Sequence, residues 1–319
     1  MVSRPLLPAY LFLYGTFLAL AVPVSSSQRT PFAPHLQAGQ TLFYHIDFSS
    51  SRNMKTESRV VSPQLPPATN VSASGLLQVE ITEATGTGFR VKTYYSEHDP
   101  SPAPPQSQAS QSSGSADKVV EFSVSADGSA SGIKGIDRLS PAQQFAWNDW
   151  LGRFTSSMAF PKSGVAAGRK WEAVEPETTP SPIAGLTWTK KYQYVRDEPC
   201  KFYDRPESAT RGESASNSQV CAVVLVRATL HQKSSPKNAT PGDYKLRNLR
   251  TRGRAVGQNE TILYISRSTG LLIRSTEDAQ QSMDAIVALT DGSNQVHYSL
   301  IAKSHSDIFL LSDSPQQSR

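Results

Sequence analysis

Apolar and polar residues alternate with a period of two along most of the chain from residue 41 onward. This pattern is typical of antiparallel strands that bury one face. One alternating run covers 77–81, and a second covers 89–95 after the turn residues at 85–88. The pattern predicts that these two runs pair as a hairpin, and that a third strand, 120–124, ends at a turn.

One helix interrupts the strands. Ser140-Pro-Ala-Gln143 combines an N-cap serine, a proline at the first helical position and a glutamine three residues after the cap. Apolar residues then recur at helical spacing and form one face: Trp147, Leu151, Phe154 and Met158. The sequence predicts a helix from about 140 to 158 that packs on the sheet.

The second half of the chain returns to strand patterns. The run 186–194 keeps its aromatic residues on one parity, and 220–230 is apolar on both parities, as in a strand covered on both faces. A further hairpin is predicted over 261–267 and 271–276, and shorter strands follow at 283–289, 296–302 and 308–311. The predicted fold class is mainly β: a curved antiparallel sheet, either a half-barrel or an open barrel, with one packed α-helix.

The first 27 residues have the features of a secretory signal peptide. Arg4 precedes the apolar run 11–22, Pro23 breaks the helix, and small residues follow at 24–27. An uncleaved anchor would need a longer apolar run. No cysteine follows for a lipid anchor, so the sequence predicts an exported, soluble protein of the periplasm or the medium. The polar C-terminus argues against the alternative of an outer-membrane barrel.

The mature chain is predicted to be one antiparallel β-rich domain over 28–311. Residues 99–117 are rich in Pro, Ser and Gln and contain nothing apolar enough to build a core. We expect them to be a disordered insertion at the tip of a hairpin. Residues 312–319 are predicted to be a flexible tail.

Composition limits the choice of function. The 319 residues contain 32 Lys plus Arg and 27 Asp plus Glu, a net charge of +5. This mild excess does not by itself imply a nucleic-acid partner. The chain has no phosphate-binding glycine loop and no Gly-X-Ser-X-Gly motif. We therefore predict no cofactor, assign no catalytic residue, and favour a non-enzymatic protein.

Cys200 and Cys221 are the two cysteines of the chain. Each lies beside a predicted strand, which favours a disulfide in an oxidising compartment. The bridge would staple a hairpin whose polar tip runs over 201–219. Thiol redox chemistry is the alternative, but it favours a Cys-X-X-Cys spacing.

The strongest charge feature lies between 237 and 254. Lys245 and Arg247 share one parity, and Arg250, Arg252 and Arg254 share the other. If a bulge falls at residue 248, all five cations project from one face of an edge strand. These five residues are candidates for binding anionic lipid headgroups, lipopolysaccharide or an acidic polysaccharide. The alternative is that they protect an edge strand from aggregation.

Two short motifs could in principle bind a metal. His45-X-Asp47 and His305-X-Asp307 each place two ligands on one face of a strand. Zinc sites need three or four converging ligands, and no third partner is identifiable from the sequence. We predict surface histidines here and no metal site.

Two segments carry a resemblance to known proteins. The stretch 160–171, with its Phe-Pro step and Gly-X-X-Trp, resembles a family of uncharacterised exported β-rich bacterial proteins, as does 269–276 together with Met283. The resemblance covers about 118–300. More distantly, the chain resembles the half-barrel lipoprotein carriers of the bacterial envelope. That resemblance implies a curved sheet wrapped around a helix and a site for acyl chains.

These observations favour an envelope binding protein for an apolar or lipid-like ligand, or for a protein partner. The candidate residues for lining an apolar ligand pocket are Trp147, Trp150, Trp171 and Trp188. An extracytoplasmic hydrolase of unrecognised type and a structural scaffold of the envelope are the alternatives.

Overall fold

A computed structural model of the chain describes residues 29–58, 68–96, 118–177, 179–202 and 219–311. The predicted signal peptide, the insertion 99–117, residues 203–218 of the predicted hairpin tip and the tail 312–319 lie outside the described residues.

The described strands, in chain order, are β1 (Thr41–Ser58), β2 (Ala68–Thr85), β3 (Gly88–Ser96), β4 (Val119–Ser125), β5 (Ala130–Lys134), β6 (Lys170–Pro176), β7 (Leu186–Pro199), β8 (Val220–Gln232), β9 (Leu249–Ser266), β10 (Leu272–Leu289) and β11 (Val296–Leu310). The helices among them are α1 (Pro141–Phe154) and α2 (Gly242–Leu246).

All eleven strands form one antiparallel sheet in the order β5-β4-β3-β2-β1-β11-β10-β9-β8-β7-β6. The first and last strands meet in the middle, and β5 and β6 form the two edges. Within the described residues, β5 and β6 do not pair, and the sheet is not closed into a barrel. The predicted class, mainly β with an antiparallel sheet and one packed α-helix, is confirmed.

Two predicted hairpins are present. Leu77 pairs with Tyr95 in the β2–β3 hairpin, and β9 pairs with β10 around the predicted turn at 268–270. The strands are longer than the apolar pattern indicated: residues 272–276 and 283–289 belong to the single strand β10, and residues 296–302 and 308–310 belong to β11. The polar residues between these runs pair with neighbouring strands that are equally long, so pairing extends the strands beyond their apolar parts.

Helix α1 begins as predicted. Ser140 Oγ accepts from Gln143 N and Gln143 Oε1 accepts from Ser140 N, which completes a capping box, and Pro141 is the first helical residue. The α-helix ends at Phe154, and a 3-10 turn over Ser156–Ala159 follows. The predicted segment is thus helical almost throughout, first as an α-helix and then as a 3-10 turn.

The helix runs across the strands. Phe145 stacks on Phe48 of β1 with 6.3 Å between ring centroids, and Asp149 accepts from Ser306 of β11. Beneath the helix lies the main core, where the indole of Trp147 donates to Thr93 Oγ1 over 2.9 Å. This places α1 on one face of the sheet, which is called the helix-bearing face below.

A second, smaller apolar cluster occupies the far end of that face. The segments 179–185 and 233–241 pack over it through Ile183 and Ala239, which are 3% and 0% exposed. Its other members are Leu186, Leu230, Ala255 and Ala285, with Trp188 and Met283 packed beside them. The helix-bearing face therefore has an apolar cluster at each end.

Cys200 and Cys221 form the predicted disulfide. Their Cα atoms lie 4.9 Å apart, and both side chains are buried. Cys221 is the second residue of β8 and lies opposite Glu198 of β7, so the bridge joins the ends of two paired strands. The four residues from 221 to 224 are all buried, as the apolar run on both parities predicted.

The prediction that the cation-rich segment is one edge strand is wrong. Lys245 lies in α2, Arg247 follows that helix, and Asn248 adopts a left-handed conformation with φ 58° between α2 and β9. Strand β9 lies between β8 and β10. Lys245 and Arg247 are therefore not on one strand with the arginines of β9. Strand alternation does not place all five side chains on one face.

Candidate ligand-binding surfaces

A row of small side chains crosses the helix-bearing face beside α1. Tyr44 and Ile46 of β1 are buried beneath the helix, so strand alternation places Ser50 on the same face. Strand register continues this row through Val71 (β2), Ser50 (β1), Ser304 (β11), Ala279 (β10), Asn259 (β9) and Ala228 (β8). All six side chains are small or medium-sized and uncharged.

This row is the floor of an open cavity of about 820 Å³, called the trough below. The residues on either side of each floor residue complete its lining, from Ser49 and Ser51 on β1 to Arg227 and Thr229 on β8. The trough is open to solvent, and it marks space that the described side chains leave unfilled. Its volume and its open shape make the trough a candidate ligand site.

An ion-pair network lies where α1 meets the sheet, one row away from the trough floor. Arg153 Nη2 lies 2.5 Å from Asp149 Oδ1 and 2.6 Å from Glu277 Oε2. Ser306 Oγ donates to Asp149 Oδ2 over 2.5 Å. The three charged residues border a cavity of about 230 Å³ that shares two lining residues with the trough.

The surroundings of the network shift the pKa values of both Asp149 and Arg153. Burial raises the pKa of Asp149, and Arg153 only partly opposes this effect. Burial acts to lower the pKa of Arg153, but Asp149 and Glu277 hold it above its ordinary value. Glu277 also accepts from Thr261 Oγ1 over 2.7 Å. Because each carboxylate accepts from Arg153 and from a hydroxyl, the network fastens α1 to the sheet, and we assign it no catalytic step.

The four tryptophans of the predicted lining lie in three places. Trp147 and Trp150 are fully buried between α1 and the sheet, where they fill the main core. Trp171 is half-buried and stacks on Tyr192 with ring centroids 5.2 Å apart. Trp188 belongs to the second cluster. The structure does not bring the four rings together around one cavity.

A smaller apolar pocket was missed by sequence reasoning. It encloses about 360 Å³ between the N-terminal segment 31–34, the β2–β3 turn and 157–162, and Lys162 stands in its lining. Its apolar lining includes Pro31, Phe32, Pro34, Phe89, Met158, Phe160 and Pro161. The clustered Pro and Phe residues were visible in the sequence, but nothing local indicated that the two segments meet.

The five candidate anion-binding residues do not all lie around one cleft. Arg250, Arg252 and Arg254 alternate along β9 and are all exposed. A cleft of about 740 Å³ is lined by Arg250, Arg252 and Lys245, and by Lys237, which the prediction had not included. Arg247 and Arg254 do not line it.

Both His-X-Asp motifs form side-chain pairs on exposed strand faces. His45 Nε2 lies 2.9 Å from Asp47, and His305 lies 2.8 Å from Asp278 and 3.1 Å from Asp307. The hydrogen bond to Asp278 raises the pKa of His305. Among the residues that the structure describes, no three His, Cys, Asp or Glu side chains are grouped so as to hold a metal ion.

Within the described part of the chain, no helix has the length and apolar character needed to cross a membrane. No protein-family model and no curated protein matches the sequence.

Three solved structures share a remote likeness. The outer membrane protein OprG from Pseudomonas aeruginosa is 8% identical, with 87% of this chain and 98% of that chain covered and a TM-score of 0.16. An engineered protein of asymmetric conductivity is 7% identical, with 84% and 100% covered and a TM-score of 0.17. A mutant porin of Rh. blastica is 9% identical, with 84% and 100% covered and a TM-score of 0.17. Likeness at this level carries no conclusion about this chain.

Proposed function

We propose that this protein is a non-enzymatic binding protein of the bacterial envelope and that the trough holds the acyl chain of a lipid-like ligand. The observation that carries the proposal is the open cavity of about 820 Å³ over a floor of small, uncharged side chains. Three of the six floor residues are aliphatic and none is charged, so an uncharged chain can lie on the floor without burying an unpaired charge.

The dimensions of the floor suit an elongated ligand. It crosses six strands, and neighbouring strands lie about 4.8 Å apart, so five intervals give a path of about 24 Å along the sheet. An extended acyl chain of a common membrane lipid fits a path of this length. Val71, Ala228 and Ala279 supply aliphatic contact on the floor.

Three observations outside the trough support the same proposal. The signal-peptide features of residues 1–27 favour export, and the disulfide between Cys200 and Cys221 suits an oxidising compartment. The distant resemblance to half-barrel lipoprotein carriers implies an open sheet around a helix with acyl chains as cargo. The sheet order and the position of α1 agree with the architecture that this resemblance implies.

Titration with the fluorescent fatty acid cis-parinaric acid tests the proposal. The wild-type protein should show a saturable rise in probe fluorescence. Ser304→Phe places a large ring on the trough floor and should abolish the rise, because the ring obstructs the row between Ser50 and Ala279. Ser299→Phe is the matched control, since Ser299 lies on the opposite face of the same strand and does not line the trough.

Retained binding by Ser299→Phe together with loss in Ser304→Phe supports the trough. No saturable signal from the wild type, or equal binding by both variants, contradicts the proposal. Native mass spectrometry of the protein purified from envelope extracts supplies the identity of a bound lipid. Circular dichroism of both variants separates a filled trough from a misfolded chain.

A further inference from the structure

We propose a second ligand site, independent of the trough, in which Lys237, Lys245, Arg250 and Arg252 bind a phosphate ester. These four residues line the cleft of about 740 Å³ at the start of β9. The other described lining residues are Asn238, Thr240, Leu249, Thr251, Ile286, Ala288, Leu289, Thr290, Gly292 and Gln295, so the described lining contains four cations and no acidic residue. The proposal goes beyond the acyl-chain function and does not depend on it.

The elements around the cleft explain how cations from distant segments converge there. Arg250 and Arg252 share one face of β9, two residues apart, which separates their Cα atoms by about 6.8 Å. Asn248 turns the chain between α2 and β9 and brings Lys245 of α2 to the same place. The loop before α2 is hydrogen-bonded to β9 from Ala239 N to Thr251 O, which positions Lys237 beside the arginines.

None of the four cations forms an ion pair with a described residue. Elsewhere in the described residues several exposed cations do, as Arg90 does with Glu83 and Arg227 with Glu260. Opposite Arg250 and Arg252 in the sheet stand Ala288 and Ile286, which offer no acceptor. The guanidinium groups therefore keep their donors for an external anion.

The nearby carboxylates are engaged elsewhere or lie outside the cleft. Asp291 accepts from Ser293 N and Ser293 Oγ, and these hydrogen bonds lower its pKa. Asp284 lies 2.9 Å from His297 and pairs with Arg254 in the strand register. Asp243 is in α2 but does not line the cleft. The four positive charges therefore face the cleft without a described carboxylate beside them, which favours the binding of an anion there.

The alternative suggested by the sequence was that the cations protect an edge strand. Strand β9 is an interior strand, and loop 236–240 is hydrogen-bonded to its first part. The arginines consequently have no open edge to protect. Phosphate suits the site because two arginines and two lysines supply both forked donors and point charges, and phosphate oxygens accept from both.

Isothermal titration with inorganic pyrophosphate and inositol hexakisphosphate tests the site on the whole protein. Wild type should bind at least one of these probes. Arg252→Gln should weaken binding about tenfold or more, as expected for loss of a charge-assisted hydrogen bond. Arg254→Gln removes the same charge two residues along the same strand face, outside the cleft, and should change affinity by less than about twofold.

Flotation with phosphatidylglycerol and phosphatidylcholine vesicles distinguishes the source of the phosphate. Binding to phosphatidylglycerol vesicles that Arg252→Gln loses indicates a lipid headgroup, and binding to the soluble probes alone indicates a soluble phosphate ester. Equal losses in Arg252→Gln and Arg254→Gln would show only general attraction between charges and overturn the site. Failure of wild type to bind any probe or vesicle also overturns it. Ser304→Phe should leave phosphate binding intact, which keeps this test separate from that of the trough.

Discussion

Arg153 on α1 and Glu277 on β10 lie 2.6 Å apart and join the helix to the middle of the sheet. The same guanidinium nitrogen contacts Asp149, and Nη1 donates to Ser275 Oγ over 3.3 Å. All of these side chains are buried or nearly so. This arrangement fixes the height of α1 above the sheet, and with it one border of the smaller cavity next to the trough.

Arg153→Met should destabilise the fold by about 3–5 kcal/mol, because it leaves two buried carboxylates without their cation. Urea denaturation followed by circular dichroism measures the loss. Arg90→Met removes an exposed arginine paired with Glu83 and should cost about 0–1 kcal/mol. Neutralising both carboxylates as well, with Asp149→Asn and Glu277→Gln, should recover part of the stability. Equal effects of Arg153→Met and Arg90→Met would show that the network contributes nothing.

Gly257→Ala should destabilise the protein by about 1–3 kcal/mol through overpacking. A Cβ atom at 257 would stand 2.9 Å from Cη2 of Trp188 and 3.2 Å from Cβ of Leu230. Gly152→Ala in α1 is the control, because a Cβ there meets nothing within 4 Å, and it should add about 0.5–1 kcal/mol. Differential scanning calorimetry compares both with wild type. A neutral effect at 257 would mean that Trp188 moves aside without cost.

Replacing both cysteines, as Cys200→Ala with Cys221→Ala, should lower the free energy of unfolding by roughly 3 kcal/mol. The reason is that the unfolded chain then no longer contains a closed loop between two cysteines with a sequence separation of 21. Guanidinium denaturation measures the change. Dithiothreitol should lower the stability of wild type to nearly that of the variant and leave the variant unchanged. A variant as stable as oxidised wild type would contradict the stabilising role.

Two histidines should titrate above their ordinary range. Hydrogen bonds that the imidazoles donate to Asp278 and Asp284 raise the pKa of His305 and His297, respectively. A raised folded-state pKa means that each pair stabilises the fold fully below the unfolded value of about 6.5, and that this stability is lost as the pH rises through the folded value. NMR titration of the imidazole protons measures both pKa values directly.

The two histidine pairs serve as controls for each other. Asp278→Asn should lower the pKa of His305 and leave that of His297 in place, and Asp284→Asn should do the reverse. If both variants moved both histidines alike, the shift would come from the overall charge of the sheet and not from the individual hydrogen bonds.

Local patterns in the sequence predicted much of the fold. Alternation identified the β2–β3 hairpin, the motif at 140–143 identified the start of α1, and the flanking strands identified the Cys200–Cys221 disulfide. Each of these features depends on neighbours in the chain, on strand parity or on helix capping, which the sequence displays directly.

The candidate sites were much less predictable. The aromatic residues suggested an apolar pocket, but Trp147 and Trp150 fill the core and Trp188 packs elsewhere. The trough floor consists of Ser, Ala, Val and Asn residues that no local motif distinguishes. They become a site only because six strands align them in one row.

The sequence by itself determined the alternation of strands, the capped helix and the pair of cysteines, because these follow from interactions within short segments. Tertiary structure alone decided that β1 and β11 meet at the centre, that β9 is interior, and that Lys237 and Lys245 join Arg250 and Arg252 around one cleft. These relationships join segments far apart in the chain, and their geometry is set by strand register across the whole sheet, which no local pattern encodes.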